Sequence, residues 1–144
     1  MSIILRPEEY AVKEPSLIKP FSGLCVCKAI EQLTGFKPSL TQMNDIYLND
    51  KKICGILSEA SSDFETGEIQ YIVVGIGIHF NSDISAFPAE TRKEIGTLFK
   101  KGGETISINQ LRARIIDLIL APEDTDESRI TSEYNKRMKN YPKN

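Results

Sequence analysis

The stretch Asn44-Asp45-Ile46-Tyr47-Leu48-Asn49-Asp50-Lys51-Lys52-Ile53-Cys54-Gly55-Ile56-Leu57 constrains the fold of this chain more than any other. Two apolar arms, residues 46–48 and 53–57, flank Asn49-Asp50, a pair that tolerates the left-handed backbone of a tight hairpin turn. The hairpin draws an acid, Asp45, and a base, Lys52, towards one neighbourhood. Gly55 beside them has no side chain to obstruct a ligand or a second backbone. Two readings follow from the residues alone. Asp45 and Lys52 form a cross-strand ion pair, contributing ~0–1 kcal/mol if exposed, or they form the charged part of a small-molecule or phosphate site.

The rest of the chain places this hairpin in a sheet. Residues 2–5 form a short apolar strand ending at Arg6-Pro7, and residues 8–14 read as a polar loop. Leu17, Phe21, Leu24, Val26-Cys27, Ile30 and Leu33 recur at near-helical spacing, with Ser16 as candidate cap, Pro20 in the first turn and Gly35 as the stop. Residues 36–42 are ambiguous, although Leu40 fits a brief strand. Beyond the hairpin, residues 61–68 form a polar loop into Ile69-Gln70-Tyr71-Ile72-Val73-Val74-Gly75-Ile76-Gly77-Ile78, a run whose β-propensity predicts a central strand.

The second half changes character. Residues 89–99 are helix-compatible, with Ile95, Leu98 and Phe99 on one side, and Gly102-Gly103 breaks that pattern. Ser107 caps a stronger helix whose apolar face is Ile108, Leu111, Ile115, Leu118 and Ile119. Residues 122–128 are acidic and irregular, a last helix covers 130–138, and the tail 140–144 is expected to fray. Strands first and helices after predict an α+β fold, a mixed or antiparallel sheet with helices on one face.

Composition fits one domain: 144 residues, 40% hydrophobic and 26% charged. A formal net charge of -2 gives no support for a nucleic-acid surface. Arg6, Glu8 and Glu9 interrupt the apolar start too early for a secretory leader, and no apolar run reaches membrane-spanning length, so the expectation is a cytoplasmic protein with no membrane partner. Cys25-Val26-Cys27 lacks the spacing of a redox or zinc pair, and the chain has a single histidine. No metal site is expected, and Cys25, Cys27 and Cys54 read as reduced, mostly buried thiols.

The hairpin resembles the signature of biotin protein ligases, in which Asn-Asp is followed by a Lys-(Ile/Leu)-x-Gly-Ile-Leu run. Val73-Val74-Gly75-Ile76-Gly77-Ile78-His79-Phe80-Asn81 is similar to that family's Gly-Ile-Gly-Ile-Asn strand, and Met1-Ser2-Ile3-Ile4-Leu5-Arg6-Pro7 to the strand after its glycine- and arginine-rich loop. The resemblance implies the fold shared with class II aminoacyl-tRNA synthetases. It also implies ATP-dependent formation of biotinyl-adenylate and transfer of the biotinyl group to a lysine of a biotin carboxyl carrier-type protein. Biotin and ATP, the latter with magnesium, are the ligands so implied.

By the same resemblance, Lys52 meets the biotin carboxylate and phosphoryl region, and Asp45 orients or deprotonates the incoming lysine. Asn44 positions the hairpin or contacts ligand, Gly55 lets the ligand lie on the strand, and Gly75 and Gly77 are approach positions under an adenine. From the residues alone, Gly75 and Gly77 equally fit relief of crowding in a buried strand, and His79 a polar strand end.

The chain departs from the family pattern at Thr41-Gln42-Met43, where Lys-Trp-Pro is usual, and at His79, where asparagine is usual. Residues 1–144 therefore read as a single partial catalytic domain, without the glycine/arginine-loop half and the C-terminal barrel. An edge strand at 2–5 would invite self-association. The competing readings are a non-catalytic module that forms dimers or binds ligand and, less favoured, a relative of lipoate-protein ligases. Gly55-Ile56-Leu57 argues for the biotin side, since lipoate ligases tend to carry Gly-Ser-Ala there.

Overall fold

Asn49 and Asp50 both adopt left-handed backbone, with φ of 50° and 60°, so the hairpin turn forms as its residues require. The structure is a computed structural model that describes residues 1–9, 12–122 and 124–139. In chain order its elements are β1 (Ser2–Leu5), α1 (Ile18–Thr34), β2 (Ser39–Leu40), β3 (Ile46–Leu48), β4 (Lys51–Ser62), β5 (Ile69–Ile78), α2 (Ala89–Glu94), α3 (Ile108–Leu120) and α4 (Glu127–Arg137). The strands form a sheet in the order β1-β5-β4-β3-β2, with every pairing antiparallel.

The register of β4 on β5 decides what each face carries. Cys54 pairs with Ile78, Gly55 with Gly77, Ile56 with Ile76 and Leu57 with Gly75. Because successive side chains alternate, Ile56, Ile72, Val74 and Ile76 share one face, where they are buried in the core with residues of α1 and α3. Gly55, Leu57, Gly75 and Gly77 fall on the other face, where Leu57 is 70% exposed. β5 is interior, between β1 and β4, but only one of its faces is covered. Its near-continuous apolar run thus reflects β-propensity more than two-sided burial. β1 occupies a sheet edge, and its Ile4 is exposed on the same open side as Val73, its cross-strand partner.

α1 is apolar around most of its girth because it packs against the sheet, α3 and α4. Gly35 ends it in left-handed backbone at φ 74°, with its N–H donating to the Glu31 carbonyl. Its start differs from the expected Ser16 cap. Pro15 opens a 3-10 turn through Leu17, Glu14 accepts the Ser16 N–H, and the α-helix begins at Ile18. Ser107 does cap α3, in a reciprocal box with Gln110. Leu111, Ile115, Leu118 and Ile119 are buried as the periodicity requires, while Ile108 in the first turn stays exposed.

Two further helix boundaries differ from expectation. α2 stops at Glu94, because Ile95 and Gly96 leave the helix to run beside Lys52 of β4. α4 starts at Glu127, earlier than expected, because Asp126 accepts the N–H groups of Ser128 and Arg129. In the 8–14 segment, Pro7–Glu9 form a 3-10 turn, and Tyr10 and Ala11 lie outside the described residues. The 140–144 tail lies outside them as well.

All three thiols are buried and unbridged. Burial pushes Cys25 and Cys27 up to about 12 and raises Cys54 as well, so none is a nucleophile at neutral pH. No helix among the described residues is long and apolar enough to cross a membrane.

Candidate functional site on the open sheet face

The β3–β4 hairpin brings Lys52 and Asp45 together, with Nζ 2.8 Å from Oδ2. Both side chains keep solvent contact, 38% for Lys52 and 24% for Asp45, so the pair is open to a third charged group. Asp45 precedes β3, whose register on β4 shifts between Ile46 and Tyr47. That irregularity sets Asp45 beside Lys52 although the ladder pairs Lys52 with Tyr47.

Gly55 forms the floor next to this pair. A Cβ there would stand 3.5 Å from Asp45 Oδ1 and 3.8 Å from Lys52 Nζ. Across the ladder, a Cβ on Gly77 would meet nothing nearer than the Gly55 carbonyl at 3.9 Å, and one on Gly75 only the Leu57 carbonyl at 3.9 Å. These glycines therefore do not relieve crowding. They leave a bare backbone shelf on which a flat or extended ligand can lie within van der Waals reach of the strands.

Leu57 and Gly96 belong to this neighbourhood too, and the sequence reading passed over both. Leu57 projects from the shelf beside Gly75. Period-two spacing from Gly55 was the signal that could have found it. Beyond β5, the segment at Ile95 takes the vacated place beside Lys52, and the Gly96 N–H donates to the Lys52 carbonyl at 2.8 Å. A Cβ on Gly96 would approach Lys51 Cβ to 2.6 Å, so only glycine fits this course.

His79 closes that end of the shelf. Its N–H donates to the Ile53 carbonyl, and its carbonyl accepts from Leu98 N–H at 2.7 Å and Thr97 Oγ1 at 3.0 Å. The ring stacks on Phe87 with centroids 5.8 Å apart and planes 18° from parallel. Nδ1 lies 3.1 Å from the Gly96 carbonyl, an acceptor only, so Nδ1 carries the proton. In the neutral ring Nε2 then keeps a lone pair. His79 thus does what a polar strand end does, and also anchors the 95–99 segment against the hairpin.

Asn44 lies in the turn that leads into β3. It is buried, with left-handed backbone at φ 62°, and its Oδ1 lies 3.7 Å from where a Cβ on Gly23 of α1 would be. The side chain faces inwards, and the backbone N–H takes part in the turn. Thr41, at the departure from the family pattern, pins the same turn. Its N–H donates to the Asp45 carbonyl at 3.0 Å, its carbonyl accepts from Asn44 N–H at 2.9 Å, and its hydroxyl accepts from Asp45 N–H at 3.3 Å.

Among the described residues, no group of three or more His, Cys, Asp or Glu side chains could hold a metal ion. Asp45, the carboxylate at the shelf, is engaged by Lys52. These described residues do not make a magnesium cage. A separate cleft between β5 and α3, lined by Ile76, Phe80, Leu111 and Arg112, lies on the helix-covered side of the sheet.

A model of the Biotin/lipoate A/B protein ligase family matches residues 1–79, which hold the hairpin and the shelf glycines. The bifunctional ligase/repressor BirA of Bacillus subtilis is 34% identical over 120 residues, 83% of this chain and 35% of the relative. That of Salmonella typhimurium is 28% identical over 117 residues, 81% of this chain and 35% of the relative. The chain thus spans about a third of the length of these relatives. Among solved structures, the apo biotin protein ligase of Aquifex aeolicus superposes with a TM-score of 0.75 at 24% identity, covering 96% of this chain and 59% of that one. A mutant of the Aquifex enzyme, in complex with biotin, gives 0.73 at 27% identity, covering 95% and 56%. The Leishmania major ligase in complex with biotinyl-5-AMP gives 0.73 at 17% identity, covering 99% and 63%.

Proposed function

The chain belongs to the Biotin/lipoate A/B protein ligase family, and from that premise we propose that its open sheet face binds biotin and biotinyl-adenylate. In this reading it contributes to ATP-dependent biotinyl transfer onto a lysine of a carrier protein. The observation that carries the proposal is the Gly55–Gly77 pair lying bare beside the Lys52–Asp45 ion pair.

Activation forms a bond between the biotin carboxylate oxygen and the α-phosphorus of ATP as the α–β phosphoanhydride bond breaks and pyrophosphate leaves. The two reactants are anions that repel. Lys52 sits where its ammonium can offset that repulsion and stabilise the charge that grows in the transition state. The glycine floor holds the ligand's flat parts against the strands, so the reacting groups meet in a fixed orientation. In the second step the carrier lysine must arrive as a free amine. Its nitrogen bonds to the biotinyl carbonyl carbon, and AMP leaves with the broken acyl–oxygen bond. Asp45, released from Lys52 as the ligand's anion takes over that ammonium, orients the amine or accepts the proton it loses.

Isothermal titration with biotin, ATP and a non-hydrolysable biotinyl-adenylate analogue tests the proposal, and lipoate in the same series separates the two branches of the family. Binding of the adenylate analogue supports the reading, and absence of heat from a folded sample with every ligand sinks it. A second reading, a non-catalytic self-associating module, draws on the edge position of β1 and the exposure of Ile4, Leu57 and Tyr71 on the open face. Sedimentation velocity in the absence of ligand tests that alternative, which a strictly monomeric protein would exclude.

A further inference from the structure

We infer that Tyr134, on the last helix, is a positioning residue for the Asn44–Asp45 turn. Its consequence for ligand binding rests on the function proposed above. Asn44 holds left-handed backbone at φ 62°, a conformation asparagine tolerates, but its buried Oδ1 has no hydrogen-bond partner to hold the turn. Such a turn needs support from outside itself. Thr41 supplies part of it, and the Thr41 carbonyl is in turn held by the Tyr134 hydroxyl, which donates to it at 2.8 Å.

The donor is itself fixed. Arg137, one turn further along α4, makes a bidentate pair with Glu31 of α1, with Nη2 2.9 Å from Oε2. The Lys139 N–H donates to the Leu40 carbonyl at 2.8 Å, and Met138 bridges to Leu40. The last helix and the residues just after it therefore hold two consecutive carbonyls, that of Thr41 through Tyr134 and that of Leu40 through Lys139. The Thr41 oxygen receives both Tyr134 Oη–H and Asn44 N–H, so its peptide plane cannot rotate without losing two hydrogen bonds. That plane fixes Asn44, and the Thr41 N–H and hydroxyl fix Asp45, whose carboxylate faces Lys52.

Tyr134→Phe removes the hydroxyl and nothing else. In the ligand-free variant, amide hydrogen exchange at Asn44 and Asp45 should accelerate about fivefold, the worth of one net hydrogen bond. Exchange at Gly55 and Gly77 should keep the wild-type rate, and Kd for the biotinyl-adenylate analogue should rise by a similar factor. Unchanged exchange at Asn44 and Asp45 in the folded variant overturns the inference. So does faster exchange with an unchanged Kd, which reduces Tyr134 to a residue of the fold. If the wild-type protein binds no adenylate, exchange alone decides whether Tyr134 sets the turn, and the functional reading fails separately. Should Tyr134→Phe not fold, 3-fluorotyrosine at position 134 keeps the ring and strengthens the donor. The Thr41 carbonyl carbon resonance should then move, and a stationary resonance overturns the inference.

Discussion

Lys52 Nζ stands 2.8 Å from Asp45 Oδ2 directly beside Gly55, so the ion pair and the bare backbone form one continuous surface. A salt bridge between two partly exposed side chains contributes little to folding, of order 0–1 kcal/mol. Its position next to Gly55 leaves the ammonium open to an anion lying on the glycines, which is the arrangement the proposed function uses.

That difference between stability and binding yields the first prediction. Lys52→Ala should change unfolding free energy by less than about 1 kcal/mol. It should weaken the biotinyl-adenylate analogue by roughly 10- to 100-fold, as expected for loss of a charge-assisted hydrogen bond. Calorimetry and a thermal melt on the same sample measure both quantities. Affinity equal to wild type would remove Lys52 from the site.

The glycine shelf makes the opposite separation. A Cβ at Gly77 finds only the Gly55 carbonyl at 3.9 Å, so the fold has room for a side chain. Gly77→Val replaces the weakest strand former with a strong one and should leave stability unchanged or raise it by ~0.5–1 kcal/mol. The added methyl groups occupy the face where the ligand would lie, and adenylate affinity should fall at least tenfold. A stable variant that binds as the wild type does would show that nothing lies on the shelf.

The hairpin and the shelf were legible because local rules decide them. Asn49-Asp50 supplies its own turn geometry, and two strands with period-two alternation place Gly55, Gly75 and Gly77 together once their register is set. What was not legible depends on contacts remote in sequence. Apolar spacing alone carries a helix to Phe99, but the close approach of Gly96 to Lys51 ends it at Glu94. The burial of Asn44 beside Gly23 of α1 likewise depends on a contact that the hairpin's own residues do not announce. The hold of Tyr134 on Thr41, and of Arg137 on Glu31, joins residues from opposite ends of the chain, and no local pattern announces either.

Gly96 supplies a third prediction. A Cβ at this position would lie 2.6 Å from Lys51 Cβ, an atom anchored to the strand backbone and unable to swing aside. Gly96→Ala must push the 95–99 segment away from β4, and overpacking of this kind costs about 1–3 kcal/mol. The Gly96 carbonyl would retreat from His79 Nδ1 as it moves. Denaturant titration should show the loss of stability, and the His79 ring resonances should shift in the same variant. A variant as stable as the wild type would mean that the segment is not packed against Lys51.

The buried thiols predict a loss of stability at alkaline pH. Burial holds Cys25 and Cys27 protonated up to about 12, and raises Cys54 in the same direction, whereas the unfolded chain loses these protons near the ordinary thiol range of about 8.5. Between those values the native state binds more protons than the unfolded state, so stability must fall as pH rises. The thiol contribution is complete below the unfolded value and is lost through the window up to about 12. At neutral pH all three cysteines should resist a thiol reagent in the native protein and react together once denaturant is added. Urea midpoints should be flat with respect to thiol ionisation below about pH 8 and decline beyond it. In the Cys25→Ala, Cys27→Ala and Cys54→Ala triple variant, whatever its absolute stability, the part of that alkaline decline due to thiols should disappear. A triple variant with the same alkaline slope as the wild type would show that other groups govern it.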